Sequence, residues 1–221
     1  METSKFVIAG GGMVAGYAAK QLVEEGLPSG DLTILSADTS LPYERPPLSK
    51  GFLAGKDTED GIRINQAEFY AAHGIDVRLQ CSISSISPDA KQLSLANGKS
   101  LGFDRLIIAT GASPRTLEIP GAQLGNVRYL RSLDDSKVIR DEAAHAKRAV
   151  VIGSGFIGME VTAVLAQKGI ETTMVLREGR IWERFFTPQM SQFFENYYTA
   201  RGVRFVKNAS VAELRGGPTV T

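Results

Sequence analysis

The sequence predicts an α/β protein built from two successive strand–loop–helix–strand units with a small antiparallel β insert between them. Three observations predict it. An apolar run at 6–9 breaks into Gly10-Gly11-Gly12 and resumes as a helix-forming stretch. The same pattern returns at 149–168 around Gly153, Gly155 and Gly158. Between them, short alternating runs are split by Pro88-Asp89 and by Asn97-Gly98, the latter a strong hairpin signal.

Composition narrows the ligand class. At 221 residues and 43% hydrophobic content the chain can bury a sizeable core. Lys+Arg of 25 against Asp+Glu of 24 leaves a formal charge of +1, with no block of like charge to suit nucleic acid or an anionic membrane. Small-molecule ligands are therefore expected. Cys81 is the single cysteine, so an intramolecular disulfide and a cysteine-built metal site are excluded, and a reducing compartment, by default the cytoplasm, is expected. The apolar stretches 6–19 and 149–166 are interrupted by glycines and do not read as membrane spans.

In chain order, 6–9 is expected as a buried parallel strand, and the glycine loop feeds a helix over 13–25 that stops at Gly26. Val14, Ala18 and Leu22 recur at helical spacing and are expected to form its core face. Gly10, Gly12 and Ala15 fit G-x-G-x-x-G/A, in which the first glycine makes the turn, the second lets a pyrophosphate approach the backbone, and the small third residue allows close helix–strand packing. The second strand is expected at 32–35. Asp38 follows about twenty residues beyond the glycines, where an acid accepts ribose hydroxyls; the alternative is a turn aspartate.

Pro42, Pro46 and Pro47 forbid regular structure until a short helix near Leu48, and hold Arg45 and Lys50 on a stiff loop. A short helix over 67–73 with His73 at its C-terminus precedes a strand at 75–79. The hairpin region 82–103 is followed by a buried strand at 106–109 that breaks at Thr110-Gly111. Residues 113–125, rich in Pro and Gly, form the expected connection between domains 1–114 and 115–221. A short strand at 127–130 and a helix at 133–146 are expected next.

A strand at 149–152 then meets Gly153-Ser154-Gly155-Phe156-Ile157-Gly158, a full G-x-G-x-x-G, followed by a helix to about Lys168 and a strand at 172–176. One glycine loop is weak evidence. Two complete units in one chain point to two Rossmann-like dinucleotide sites.

The segments GGGMVAGYAA, LPYERPPLSK, FDRLIIATGASPR, YLRSLDD and GSGFIGMEVTAVL, in that order, resemble the FAD-dependent pyridine nucleotide-disulfide oxidoreductase superfamily, specifically its ferredoxin/rubredoxin reductase, monodehydroascorbate reductase and apoptosis-inducing factor type. TTMVLREGRIWERFFTPQM and FFENYYTARGV are most similar to monodehydroascorbate reductases. The resemblance implies that Gly10, Gly12, Met13, Val14 and Ala15 hold the FAD pyrophosphate, with Asp38 at the ribose, and that Arg45, Lys50, Ile83, Thr110, Gly111 and Arg131 also contact FAD. Gly153, Gly155, Phe156, Ile157 and Gly158 would take the nicotinamide dinucleotide, with Glu178 and Arg184 near its adenosine end. Lys50 and Glu160 would meet beside the flavin as the catalytic pair, a lysine expected to be buried and so to need a partner charge; the alternative is a structural ion pair.

The implied reaction is hydride transfer from NADH to flavin, then electron transfer to a one-electron acceptor: a ferredoxin, a rubredoxin or a monodehydroascorbate-type radical. Glu178 favours NADH, whereas Arg177 or Arg180 pairing with a 2′-phosphate would favour NADPH. A lone Cys81 excludes a dithiol relay. The resemblance also implies that the second Rossmann-like unit is truncated and the chain is the N-terminal part of a longer polypeptide, with a second FAD segment and an interface domain outside it, and leaves a homodimer open. A non-catalytic or regulatory nucleotide-binding module similar to apoptosis-inducing factor is the alternative function.

Overall fold

Because β-strand side chains alternate between faces, Val7 and Ile8 enter opposite cores, and only a strand covered on both sides can be apolar at consecutive positions. That strand, β1 (Glu2–Ala9), lies inside a six-stranded sheet. The computed structural model describes residues 2–220. The chain divides into two compact units, Met1–Arg45 with Thr58–Ser113, and Pro46–Asp57 with Pro114–Thr221. Residues 46–57, the end of the proline loop and the short helix after it, thus pack with the second unit, although they lie in the middle of the first in sequence, while Pro42 and Arg45 stay with the first.

The first unit contains β1, α1 (Met13–Glu24), β2 (Leu32–Leu35), α3 (Ala67–Ala72), β3 (Asp76–Arg78), β4 (Ile83–Ser87), β5 (Gln92–Leu95) and β6 (Ser100–Ile108), with sheet order β3-β2-β1-β6-β5-β4. β1 runs parallel to β2, with Phe6 opposite Leu32, and parallel to β6, with Val7 opposite Leu106. The antiparallel insert is β4–β5, joined to β6. β6 is one nine-residue strand that serves both the insert and the parallel core, so the expected strand at 106–109 is its continuation. Its end is less covered than the apolar run suggests, since Ile108 is exposed.

One face of the sheet carries Ile8, Leu32 and Ile34 against Ala15 and Ala19 of α1 and against Tyr70; the other carries Val7, Leu35, Leu93, Leu101 and Phe103. The buried stripe of α1 is Ala15, Gly16 and Ala19, and Val14 is 59% exposed, which corrects its expected place on the core face. Small residues win there because the helix lies close: a side chain at Gly16 would press on Pro42 and Ile64.

In the second unit β7 (Arg148–Ile152), β8 (Glu171–Val175) and β9 (Arg204–Val206) form a parallel sheet in sequence order, connected by α5 (Phe156–Gln167) and α6 (Pro188–Thr199). Its cores gather Met159, Met174, Leu176 and Ile181, and Ala143, Leu165 and Ile170. The short helices at Pro46–Ser49 and α2 (Gly51–Ala54) adjoin α4 (Leu133–Ala143); Ser136 Oγ donates to the Leu48 carbonyl at 2.8 Å, and the Arg140 guanidinium lies over the Phe52 ring.

Residues 127–130 form no strand. Val127 N donates to the Leu124 carbonyl in a turn and the Tyr129 hydroxyl accepts from Leu117 N, so the segment has no ladder to join. α4 begins at a capping box in which Ser132 Oγ accepts from Asp135 N and the Asp135 carboxylate accepts from Ser132 N. Ser132→Ala should lower stability by about 1 kcal/mol, read by denaturant unfolding. No helix among the described residues is long and apolar enough to cross a membrane.

Candidate functional site

In the first unit the glycine run is required by what it passes. Gly10 has φ +122°, donates its N–H to the Leu35 carbonyl, and leaves no room for a Cβ, which would strike the Ala109 carbonyl. A Cβ at Gly11 would strike Ser36 Oγ, so the fully buried Ser36 at the end of β2 sets the middle glycine. Gly12 caps α1 in an extended conformation without a side-chain acceptor, which leaves the amides of Met13, Val14 and Ala15 at an uncapped positive helix end. Arg45 stands at the same place: its Nη2 is 3.1 Å from where a Cβ of residue 12 would sit, and its buried Nε has no partner among the described residues.

An uncapped helix N-terminus, a glycine with no side chain, and an unpaired buried guanidinium nitrogen together fit a pyrophosphate. Thr110, exposed, and Gly111, at φ +71°, follow Ala109 directly and therefore adjoin this loop. The Asp38 carboxylate accepts from Ser40 N at 3.2 Å and from the Tyr43 hydroxyl at 2.9 Å, which builds the turn after β2. Ile83 sits at the start of β4 against the core of Val7 and Leu35, close to where Cys81 N donates to the Ser36 carbonyl.

The second glycine loop divides the same labour differently. Gly153 has φ +102° and donates to the Val175 carbonyl, and a Cβ at Gly158 would strike the Gly153 carbonyl. A Cβ at Gly153 or Gly155, in contrast, would meet no protein atom within 4 Å. Gly158 is thus needed by the fold, while the backbone at Gly155 is open to a ligand. Gly155 caps α5 without a side-chain acceptor; Phe156 and Ile157 start the helix and are about half exposed. Glu178 meets this loop, its Oε2 3.5 Å from the hydroxyl of the buried Ser154.

One turn further along α5, Glu160 is paired. Lys50 Nζ lies 2.9 Å from its Oε2, and Ser49 Oγ donates to the same oxygen at 2.5 Å. The lysine side chain is 52% exposed, against the expected burial; the buried partner of the carboxylate is Ser49. Ser49 carried no signal in the sequence beyond its place beside Lys50. Tyr198 of α6 donates to the Met159 carbonyl at 3.2 Å; burial, and then the Glu160 charge, push its hydroxyl above the usual tyrosine range.

Arg131 precedes the α4 cap, its N–H donating to the Asp135 carboxylate, and Arg184 is exposed on the turn after β8. No hydrogen bond or ion pair joins either side chain to Lys50, Glu160 or the glycine loop among the described residues. Arg180 is committed elsewhere, donating to the carbonyls of Phe186 and Glu183 and to Ser191 Oγ, so it builds its own turn and is not a free cation for a 2′-phosphate.

The profile of the pyridine nucleotide-disulphide oxidoreductase family matches residues 4–221. A peroxisomal monodehydroascorbate reductase of Oryza sativa subsp. japonica is 41% identical over 96% of this chain and 48% of its own length. The reductase in a covalent putidaredoxin reductase–putidaredoxin complex superposes with a TM-score of 0.91 at 31% identity, covering 100% of this chain and 54% of that one. A ferredoxin reductase of Rhodopseudomonas palustris gives 0.89 at 32% identity, covering 98% and 53%. The chain spans about half the length of these relatives. Two glycine loops of this geometry and a match along nearly the whole sequence have one explanation: the chain belongs to the pyridine nucleotide-disulphide oxidoreductase family.

Proposed function

We propose that the chain is the dinucleotide-handling part of an FAD-dependent NAD(P)H oxidoreductase that passes electrons to a one-electron acceptor, either a small redox protein of the ferredoxin or rubredoxin kind or a monodehydroascorbate-type radical. The observation that carries it is the Lys50–Glu160 ion pair with Ser49 on the same carboxylate oxygen, a fixed cation on a stiff proline loop in a chain with two dinucleotide loops. The names of the relatives, a monodehydroascorbate reductase and a putidaredoxin-complexed reductase, support that class of acceptor.

Residues 1–114 are assigned to FAD and 115–221 to the nicotinamide dinucleotide, with 46–57 packing beside the latter. The amides of Met13 to Ala15 and the Arg45 guanidinium neutralise the pyrophosphate, Thr110 and Gly111 adjoin it, and Asp38 and Ile83 border the adenosine. FAD, when bound, supplies the hydride-accepting ring. Lys50, oriented by Glu160, supplies positive charge for a reduced flavin, with Arg131 as a second cation. Gly153 to Gly158 receive the NADH pyrophosphate, and Glu178 with Arg184 takes the adenosine end. With Arg180 committed to its turn, Glu178 favours NADH over NADPH. The proposed compartment is the cytoplasm.

Purified protein that retains FAD should be yellow and reduce ferricyanide with NADH; flavin-loaded protein without NADH-driven dye reduction overturns the proposal. Gly155→Ala separates binding from folding. At φ −69° and with open space around it, alanine should leave stability unchanged or raise it by about 0.5 kcal/mol, while NADH binding measured by titration falls about tenfold or more because the new methyl occupies the approach to the backbone.

A further inference from the structure

Trp182 is a bulky residue at φ +51°, a backbone conformation that persists only where its surroundings over-determine it. The residue before it is held by one helix. Ile181 N donates to Glu195 Oε1 at 3.0 Å, and Ser191 Oγ donates to the Ile181 carbonyl at 2.7 Å, so both backbone groups of the residue before Trp182 are held by α6. Arg180, on the other side of Ile181, bonds Ser191 Oγ at 2.8 Å and closes the turn on the Phe186 carbonyl at 2.7 Å. Glu195 is 4% exposed, and its second oxygen takes Lys207 Nζ at 2.5 Å. A carboxylate this buried is costly without such partners.

The turn so held brackets the open backbone of the second glycine loop. On one flank Glu178 meets Ser154 Oγ; on the other, the rings of Trp182 and Phe185 each lie 5.4 Å from Phe156, the residue that follows Gly155, and Phe186 meets Phe156 edge-on at 6.4 Å. The Trp182 indole N–H is buried and has no partner among the described residues, so the ring is held by its backbone and by packing on Phe186, Phe194 and the core of Met159, Met174, Leu176 and Ile181.

We infer that Glu195 is a positioning residue for nicotinamide dinucleotide binding: through the Ile181 amide it holds the 180–186 turn, and with it Trp182 and Phe156, beside the Gly155 backbone. The inference rests on the proposed assignment of that loop to NADH. A dinucleotide meets a wall already in place and loses little freedom in ordering it, so loosening the wall weakens binding without removing any group that touches the ligand.

NADH titration followed by the emission of Trp182, the single tryptophan, tests this alongside thermal melts. Glu195→Gln keeps an oxygen for the Ile181 amide but gives up the charge facing Lys207, so it should melt earlier and still bind NADH within about threefold of the parent. Glu195→Ala removes the acceptor and should weaken NADH about tenfold, measured far below its melting temperature. Ser191→Ala, which releases the Ile181 carbonyl and Arg180, should weaken NADH by about threefold or more and decides the matter if Glu195→Ala does not fold. Affinity unchanged in both alanine variants, or falling in step with melting temperature in all three, overturns the inference. A parent protein that shows no NADH binding overturns the site assignment instead.

Discussion

Lys50→Met should slow the reduction of bound FAD by NADH about 10²-fold while changing stability by no more than about 1 kcal/mol. The two magnitudes differ because the lysine side chain is half exposed. Its pairing with Glu160 is strongly screened as a stabilising interaction, yet its charge is fixed by a carboxylate that Ser49 also holds. A preorganised cation matters where negative charge develops, and methionine keeps the aliphatic bulk without it. Stopped-flow flavin reduction and a thermal melt on the same FAD-loaded sample give both numbers. A rate within threefold of the parent would reduce the pair to a structural contact.

Gly10→Ala should destabilise the protein by about 3 kcal/mol and abolish flavin retention. Two costs coincide at this position: a backbone at φ +122° that residues with a Cβ rarely adopt, and a methyl directed at the Ala109 carbonyl. β1 and β6 are paired along their length and Ala109 N donates to the Ala9 carbonyl at 2.7 Å, so neither strand end can retreat without breaking ladder bonds. Urea unfolding and flavin absorbance after gel filtration measure the effect. Stability within 1 kcal/mol of the parent would show that the loop relaxes away from the strain.

The glycine-loop pattern names both loops, but neighbours across the chain decide what each glycine does. Gly11 is needed because of Ser36, Gly16 because of Pro42 and Ile64, and Gly158 because of the Gly153 carbonyl, whereas Gly155 faces no protein atom. On α1 the expected Ala18 and Leu22 do pack against the core, but Val14 faces out, since close approach of the helix favours the small Ala15 and Ala19 at the buried positions. The 127–130 segment shows the limit of apolar composition as a strand signal, because a strand also needs a partner edge.

Local chemistry alone determined the strands on either side of each glycine loop, the α1 and α5 starts, the Asn97-Gly98 hairpin and the start of α4 at Leu133, since these depend on residues a few positions apart. It brought forward Lys50 on its proline loop, while the pairing with Glu160 came from the family resemblance. Tertiary structure decided that residues 46–57 pack with the second unit, that Ser49 shares the Glu160 oxygen with Lys50, that Arg180 closes a turn in place of meeting a phosphate, and that a glutamate on α6 holds that turn. Those facts join residues as far as 111 positions apart, and no periodicity or spacing rule encodes a hydrogen bond across that distance.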